Sequence, residues 1–173
     1  MADTDRKPDL PAVLAEAREF HAGFATLLMA TVSASGDPVA SYAPYVVDRE
    51  GCFHVYISEL AAHTRNLTLT GRASVLFIED EREAGQLFAR KRVIYACRAA
   101  EIPRDAPEFE ASMDRFASRH GAIVALLRGL LDFHLFRLRP ERANYVRGFG
   151  ETFELDGEAL SIRPVNERGH RMG

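Results

Sequence analysis

Three consecutive basic residues, Arg90, Lys91 and Arg92, lie in the segment 87–102, whose apolar residues predict one long β-strand. Because side chains alternate between the two faces of a strand, we expect Arg90 and Arg92 on one face and Lys91 on the other. Two neighbouring guanidinium groups suit carboxylate or phosphate groups, to which each donates two parallel hydrogen bonds. The run therefore predicts either an anion site or charge that protects an exposed strand edge.

Six histidines are spread along the chain without the spacing of a zinc site or an HExxH motif. His170 is the unusual one, because it lies three residues from the end, between Gly169 and Arg171, where a hydrophobic core does not require it. A ligand role and a frayed terminus both fit this position. Metal binding by a preformed zinc site is not predicted.

Asp132 lies between an apolar segment and a predicted strand. Its carboxylate fits two roles, a turn or cap in the chain, or an acceptor that orients a histidine through the second ring N–H. Cys52 and Cys97 lack CxxC spacing, so we expect two buried neutral thiols. The GFG triplet at 148–150 lacks the spacing of a phosphate loop and predicts a bulge or a close backbone approach in the last hairpin.

The elements that would position these residues follow from apolar spacing and turn residues. Helical spacing starts at Leu10, recurs at 59–69 behind Ser58 as a possible N-cap, and returns after Asp105 and Pro107. An apolar turn covers 123–131. Strand patterns cover 24–32, 39–47, 52–57, 73–79, 87–102, 133–138 and 144–155, and the length of the fifth invites a bulge. This order predicts a mainly β, α+β chain with an antiparallel barrel and flanking helices.

The composition is that of one globular domain, with 173 residues, 47% hydrophobic and 27% charged. We expect residues 1–173 to form a single domain with a flexible basic tail at 163–173. The net charge of −3 argues against a nucleic-acid partner. No signal-like or bilayer-length apolar run appears, so we expect a cytoplasmic protein without membrane association.

Five stretches together form a known pattern: FATLLMATVSASGDPVASYAPYV, FHVYISELAAHTRNL, RASVLFIEDE, FARKRVIYACRA and RGFGETFEL. The chain resembles the haem-utilisation proteins of the HugZ or HutZ type, which belong to the split-barrel class related to pyridoxamine 5′-phosphate oxidase. The resemblance covers most of the chain and is most specific over 56–105. It implies a homodimeric split β-barrel that binds haem at the subunit interface.

The resemblance also implies an activity and the residues that carry it. Haem would be degraded with electrons from an external reductant, or stored, after bacterial uptake. His170 matches the histidine that ligates the iron, Asp132 the aspartate that supports it from the other subunit, and Arg92 the arginine on the distal side. Candidates for the haem propionates are Lys91, Arg90 and His63.

Two alternatives stay open on the sequence alone. The wider split-barrel class commonly binds FMN at the same interface, through basic residues on the crossover helix and on the preceding strand. Here the helix positions read Ala61, Ala62 and His63, and the strand 40–46 has no basic residue, which counts against tight FMN binding, although Thr64 and Arg65 offer partial substitutes. A haem store or chaperone would use the same residues as a degrading enzyme.

Overall fold

The computed structural model describes residues 9–156 and 161–164. Its strands are β1 (Thr26–Val32), β2 (Pro38–Val47), β3 (Phe53–Ser58), β4 (Arg72–Ile78), β5 (Arg92–Ile102), β6 (Phe133–Gly148), β7 (Glu151–Asp156) and β8 (Ser161–Pro164). Its helices are α1 (Leu10–Ala22), α2 (Ala62–Thr70), α3 (Pro107–His120) and α4 (Ile123–Arg128), with a short 3₁₀ turn at Leu87–Ala89. None of the described helices is long and apolar enough to cross a membrane.

The strands form an antiparallel barrel that is closed by β6. They are ordered β3-β2-β1-β4-β5-β6-β7-β8, and an additional pairing of β3 with β6 closes the first six into a barrel. The first half of β6 pairs with β3, from Phe133 to Leu138, whereas the second half pairs with β7, from Arg142 to Gly148. Because one strand serves both neighbours, the β7–β8 pair continues the sheet at the second half of β6, with Phe153 and Leu155 packed in the main core.

The barrel interior is filled by alternate side chains of each strand. In β1 the odd-numbered residues from Leu27 to Thr31 are buried and their neighbours are exposed, which is the period-two pattern of a half-buried strand. Strand β3 is buried on both faces, because Phe53 and Val55 point inward while Tyr56 packs under α3 and α4. The helices therefore cover one side of the barrel and leave the outer face of β1, β2, β4 and β5 uncovered among the described residues.

The predicted fold class, a mainly antiparallel barrel with flanking helices, is confirmed. The expected bulge is present where β5 pairs with β6, since Ala96 faces Arg142 and Cys97 faces Pro140, which leaves Glu141 as the extra residue. The GFG triplet forms the turn between β6 and β7, with a register shift before Gly148 and a φ of 77° at Gly150. That backbone conformation favours glycine.

Four details of the prediction are wrong. Arg90 and Lys91 precede β5 instead of lying in it, because the chain first makes the 3₁₀ turn. Ser58 does not cap α2, which starts after Ala61, since its hydroxyl accepts from Leu60 N. The segment 133–148 is one strand, whereas two were expected with a break between them. The apolar turn at 123–131 contains the short helix α4.

Candidate functional site

The basic run at the start of β5 separates into three different environments. Arg90 Nε donates to Glu79 O at 3.1 Å, and its Nη1 donates to Glu81 Oε1 at 3.1 Å. Lys91 Nζ donates to Glu16 Oε1 at 3.0 Å. Arg92 Nη1 donates only to a backbone oxygen, that of Arg90, at 2.9 Å, and has no carboxylate partner within 9–156. Of the three cations, Arg92 is therefore the one whose charge is not offset by a described neighbour.

Glu16 is a charged partner of Lys91 despite partial burial. Burial would raise the pKa of Glu16, but hydrogen bonds from Lys91 and Tyr145 and the charge of Arg147 outweigh it, so the pKa is lowered. Lys91 also lies over the Phe20 ring, with Nζ 5.1 Å from the centroid. These contacts hold Lys91 against α1, on the opposite side of the chain from Arg92.

Arg92 borders an exposed apolar face on the outside of the barrel. On β5 the inward residues Val93 and Tyr95 are buried, so Arg92 and Ile94 point outward. The register places Ile94 beside Leu76, Leu76 beside Leu28, and Leu28 beside Tyr42. Leu28 is 46% exposed and Tyr42 66% exposed. We name these four residues the outer apolar face: Leu28, Tyr42, Leu76 and Ile94.

Asp132 lies at the start of β6, next to the chain reversal after β3. Its carboxylate accepts a hydrogen bond from Ser58 Oγ at 2.9 Å, and its backbone oxygen accepts one from Glu59 N at 2.8 Å. The neighbouring leucines Leu60 and Leu131 are 85% and 84% exposed. The carboxylate is thus held in place while apolar side chains beside it remain uncovered by the described residues.

Arg104 holds the segment that carries Asp132, a role that no sequence motif indicates because Arg104 lies in a polar turn. Its guanidinium donates to the backbone oxygens of Arg128 at 3.0 Å, of Phe133 at 3.1 Å, and of Leu130. It also donates to Tyr56 Oη at 2.9 Å. One side chain therefore fixes the path from α4 to β6.

His63 and Thr64 lie in the first turn of α2. His63 is half-buried, and burial lowers the pKa of its imidazole, which favours the neutral form. Thr64 is buried, and its Oγ1 donates to Ser58 O at 2.6 Å. Because this hydroxyl is already used inside the chain, Thr64 is a poor substitute for a phosphate ligand, and Arg65 remains the exposed polar residue of that turn.

Ser112, His54 and Asp48 form a hydrogen-bonded series that resembles a hydrolytic triad. Ser112 Oγ lies 2.9 Å from His54 Nδ1, and His54 Nε2 lies 3.0 Å from Asp48 Oδ2. However, Ser112 is fully buried and its Oγ also donates to Glu108 O at 2.8 Å. The series therefore ties α3 to the β2–β3 turn and does not present a nucleophile.

Both cysteines are buried free thiols. Cys52 is 3% and Cys97 4% exposed, and burial raises the pKa of each thiol. Neutral thiols are poor metal ligands and poor nucleophiles. The expectation of two inert cysteines is confirmed.

The predicted site residues do not all meet within one chain. Asp132 precedes Phe133, the first residue of β6, whereas Arg92 pairs with Val146 near the end of the same strand. At the ordinary rise per residue these positions are about 45 Å apart along the strand. His170 lies outside the described residues. One chain therefore brings Arg90, Lys91 and Arg92 to one end of β6, and Asp132 to the other.

Comparison with known proteins agrees with this architecture. Residues 13–147 match the family model described as pyridoxamine 5′-phosphate oxidase. The chain is 43% identical over 156 residues to heme oxygenase HutZ of Vibrio cholerae, covering 90% of this chain and 88% of the relative. The crystal structure of HutZ, described as a heme storage protein of Vibrio cholerae, matches with a TM-score of 0.68, 42% identity, and coverage of 76% and 90%.

A second solved structure, Campylobacter jejuni ChuZ, matches with a TM-score of 0.84 at 29% identity and covers 96% of this chain and 68% of its own. The family match and these similarities span most of the chain and agree with the resemblance found in the sequence. The chain therefore belongs to the pyridoxamine 5′-phosphate oxidase family of split barrels, in which it is similar to the HutZ-type haem-utilisation proteins.

Proposed function

We propose that two copies of this chain bind haem between them and degrade it oxidatively. The observation that carries the proposal is the outer apolar face bordered by Arg92, a cation without a carboxylate partner in the described chain. Haem requires an apolar surface for its ring and cations for its propionates. The similarity to a Vibrio protein named heme oxygenase supports the same ligand.

The proposed site needs residues from both copies. Arg92 and Asp132 lie at opposite ends of β6, and each borders exposed apolar side chains. In a two-fold dimer, the Arg92 end of one chain can meet the Asp132 end of the other. Burial of Leu28, Tyr42, Leu60 and Leu131 against the partner would supply the hydrophobic stabilisation of such a dimer.

The residues have distinct proposed roles. His170 would ligate the haem iron, and Asp132 would accept the second N–H of that imidazole, which fixes its orientation and makes it a stronger electron donor. Arg92 would donate hydrogen bonds to the dioxygen that reacts with the bound haem. Lys91, Arg90 and His63 remain candidates for the propionates, although Lys91 and Arg90 already pair with Glu16 and Glu81.

When bound, haem would supply both the iron that reacts with dioxygen and the ring that is oxidised. The protein has no described group that supplies electrons, so an external reductant such as a reduced flavin or ascorbate would provide them. The chain's own residues would orient the haem and exclude bulk water from it.

Haemin titration followed by absorption spectroscopy tests haem binding and its ligand. We expect a Soret band that saturates near one haem per chain in the wild type. His170→Ala should shift or weaken that band, because the iron loses its axial nitrogen. Arg82→Ala, which replaces an exposed loop arginine, serves as the control and should titrate like the wild type. An unchanged spectrum in His170→Ala would contradict the assignment.

A mixed dimer tests whether each site is shared. If one chain supplies Arg92 and its partner supplies Asp132, a heterodimer of Arg92→Ala and Asp132→Asn contains one intact site. It should then degrade haem with ascorbate at about half the wild-type rate, whereas both homodimeric variants are impaired. A heterodimer as inactive as the two homodimers would place both residues in the same chain's site and refute the shared arrangement.

Two other functions each have a specific observation in their favour. Haem storage is supported by the description of the solved Vibrio HutZ, and haem that stays intact with ascorbate would establish it. FMN-dependent oxidoreduction is supported by the family match. Tight FMN binding in a parallel titration, with only non-saturating haemin uptake, would favour the flavin enzyme and overturn the haem proposal.

A further inference from the structure

A second concave site is lined by none of the described residues proposed for haem. It is a cavity of about 1300 Å³ between α1, the C-terminal half of α3, the β2–β3 turn and the bulge of β6. Arg92, Asp132 and His63 are not among the residues that line it. The volume is sufficient for a metabolite-sized ligand.

Arginines from three elements and from the β2–β3 turn, which carries Arg49, line this cavity. Arg115 and Arg119 are one turn apart on α3, Arg18 is on α1, and Arg139 precedes the bulge of β6. Arg119 donates to Ala22 O at 3.2 Å. Arg18, Arg115 and Arg139 have no carboxylate partner within 4.0 Å among the residues that the structure describes.

Most acidic residues of the lining are neutralised from outside the cavity. Asp48 pairs with His54 and Arg137, which do not line it. Glu50 also pairs with Arg137, and Glu141 with Arg98. Asp114 is the remaining acidic residue of the lining. The arginines are therefore the dominant charges inside the cavity.

The cavity floor carries a polar pair. His21 Nδ1 lies 2.8 Å from Tyr95 Oη, and both residues line the cavity. His21 is 92% buried, and its Nε2 has no hydrogen-bond partner in the described part of the chain. Burial together with the charges of Arg18 and Arg119 lowers the pKa of His21 to about 4. Burial is the larger cause of this lowering, and the guanidinium charges of Arg18 and Arg119 add to it.

We propose that this cavity binds a small polyanion, a metabolite with two or more carboxylate or phosphate groups. Guanidinium groups from α1, α3 and β6 would bind its anionic groups in a bidentate manner, and the imidazole of His21 would contact the group that reaches the floor. The ligand would be recognised separately from haem, since none of the described residues proposed for haem lines the cavity.

Isothermal titration of the full chain with inorganic pyrophosphate and with citrate, at constant ionic strength, tests the proposal. We expect saturable binding of one molecule per chain for at least one of them, and the tighter one identifies phosphate or carboxylate as the preferred group. Arg115→Gln and Arg139→Gln should each weaken this binding about ten-fold, because each removes a charge-assisted contact. Arg72→Gln, an exposed arginine of β4 outside the lining, should change it less than about two-fold.

Polyanion binding and haem binding are measured separately, so failure of one proposal does not decide the other. Loss of polyanion binding with unchanged haemin titration in Arg115→Gln and Arg139→Gln would establish an independent site. The proposal is overturned if neither probe saturates, or if Arg72→Gln weakens binding as much as the cavity variants, since the effect would then come from general surface charge.

Discussion

Histidines of this chain differ in protonation because their surroundings differ. His21 is buried among aromatic rings, with its ring centroid 5.3 Å from that of Phe53, and burial lowers its pKa to about 4. His134 is part-exposed between Glu101 and Glu59, and its hydrogen bond to Glu101 raises its pKa. The same residue type therefore contributes to stability with opposite dependence on pH.

His21 should make the protein less stable in mild acid. Its pKa is about 4 when folded and about 6.5 when unfolded, so the unfolded chain binds the extra proton between these values. Stability from this group is present above pH 6.5 and is lost as the pH falls towards 4. Between pH 7 and pH 5 the loss is about 2 kcal/mol of unfolding free energy.

Urea unfolding of the wild type and of His21→Phe at pH 7 and pH 5 measures this effect. The variant should lose less unfolding free energy on acidification than the wild type. His134→Gln is the matched control. Because the pKa of His134 is raised in the folded state, its protonation stabilises the wild type in acid. The variant should therefore lose at least as much unfolding free energy as the wild type on acidification. Equal losses in the wild type and in His21→Phe would show that His21 is not the group responsible.

At the scale of elements, β6 determines how the parts of the molecule are connected. It closes the barrel with β3, supports β5 along its length and then carries β7. Arg104 fixes the start of this strand by donating to three backbone oxygens and to Tyr56. Contacts between elements therefore determine the position of Asp132.

Arg104→Leu should loosen the segment before β6. We expect a loss of about 1 kcal/mol in unfolding free energy, because backbone oxygens lose charge-assisted donors at a partly solvated site. Haemin affinity should also fall, since Asp132 is no longer held. Arg98→Leu, which removes an exposed ion pair with Glu141, should change stability by no more than about 0.5 kcal/mol. Equal haemin affinities of Arg104→Leu and Arg98→Leu would show that Arg104 does not position Asp132 for haem binding.

At the scale of the whole molecule, the two sides of the barrel are unequal. One side is covered by α3 and α4, whereas the outer apolar face is left uncovered by the described residues. The cationic cavity opens at a third place, between α1 and α3. This distribution separates a proposed self-association surface from a proposed polyanion site.

Leu28→Asp should weaken the proposed dimer. Leu28 is 46% exposed at the centre of the outer apolar face, so a carboxylate there costs little in the folded monomer but would be desolvated in the dimer. Sedimentation velocity should show a shift from dimer to monomer with a native far-ultraviolet circular dichroism spectrum. Ala111→Asp, on an exposed position of α3, should leave the association unchanged. A dimer that persists in Leu28→Asp would exclude this face as the interface.

The sequence by itself was sufficient to predict the barrel. Period-two burial in segments such as 26–32 and turn residues after each strand are local signals. It was also enough for the family, and for a first helix that starts at Leu10. It did not place Arg90 and Lys91 correctly, since Lys91 is held before β5 by hydrogen bonds to Glu79 and to Glu16 of α1, contacts that no local pattern shows.

Only the tertiary structure decided which residues can act together. Arg92 and Asp132 are separated along β6 because pairing register, which depends on both partner strands, sets their distance. Neither Arg104 nor the arginines of the cavity carry a sequence motif. The cavity arginines meet because α1, α3 and β6 pack around the same space, whereas Arg104 reaches Tyr56 across the chain. Local patterns fix the elements, whereas long-range packing fixes the sites.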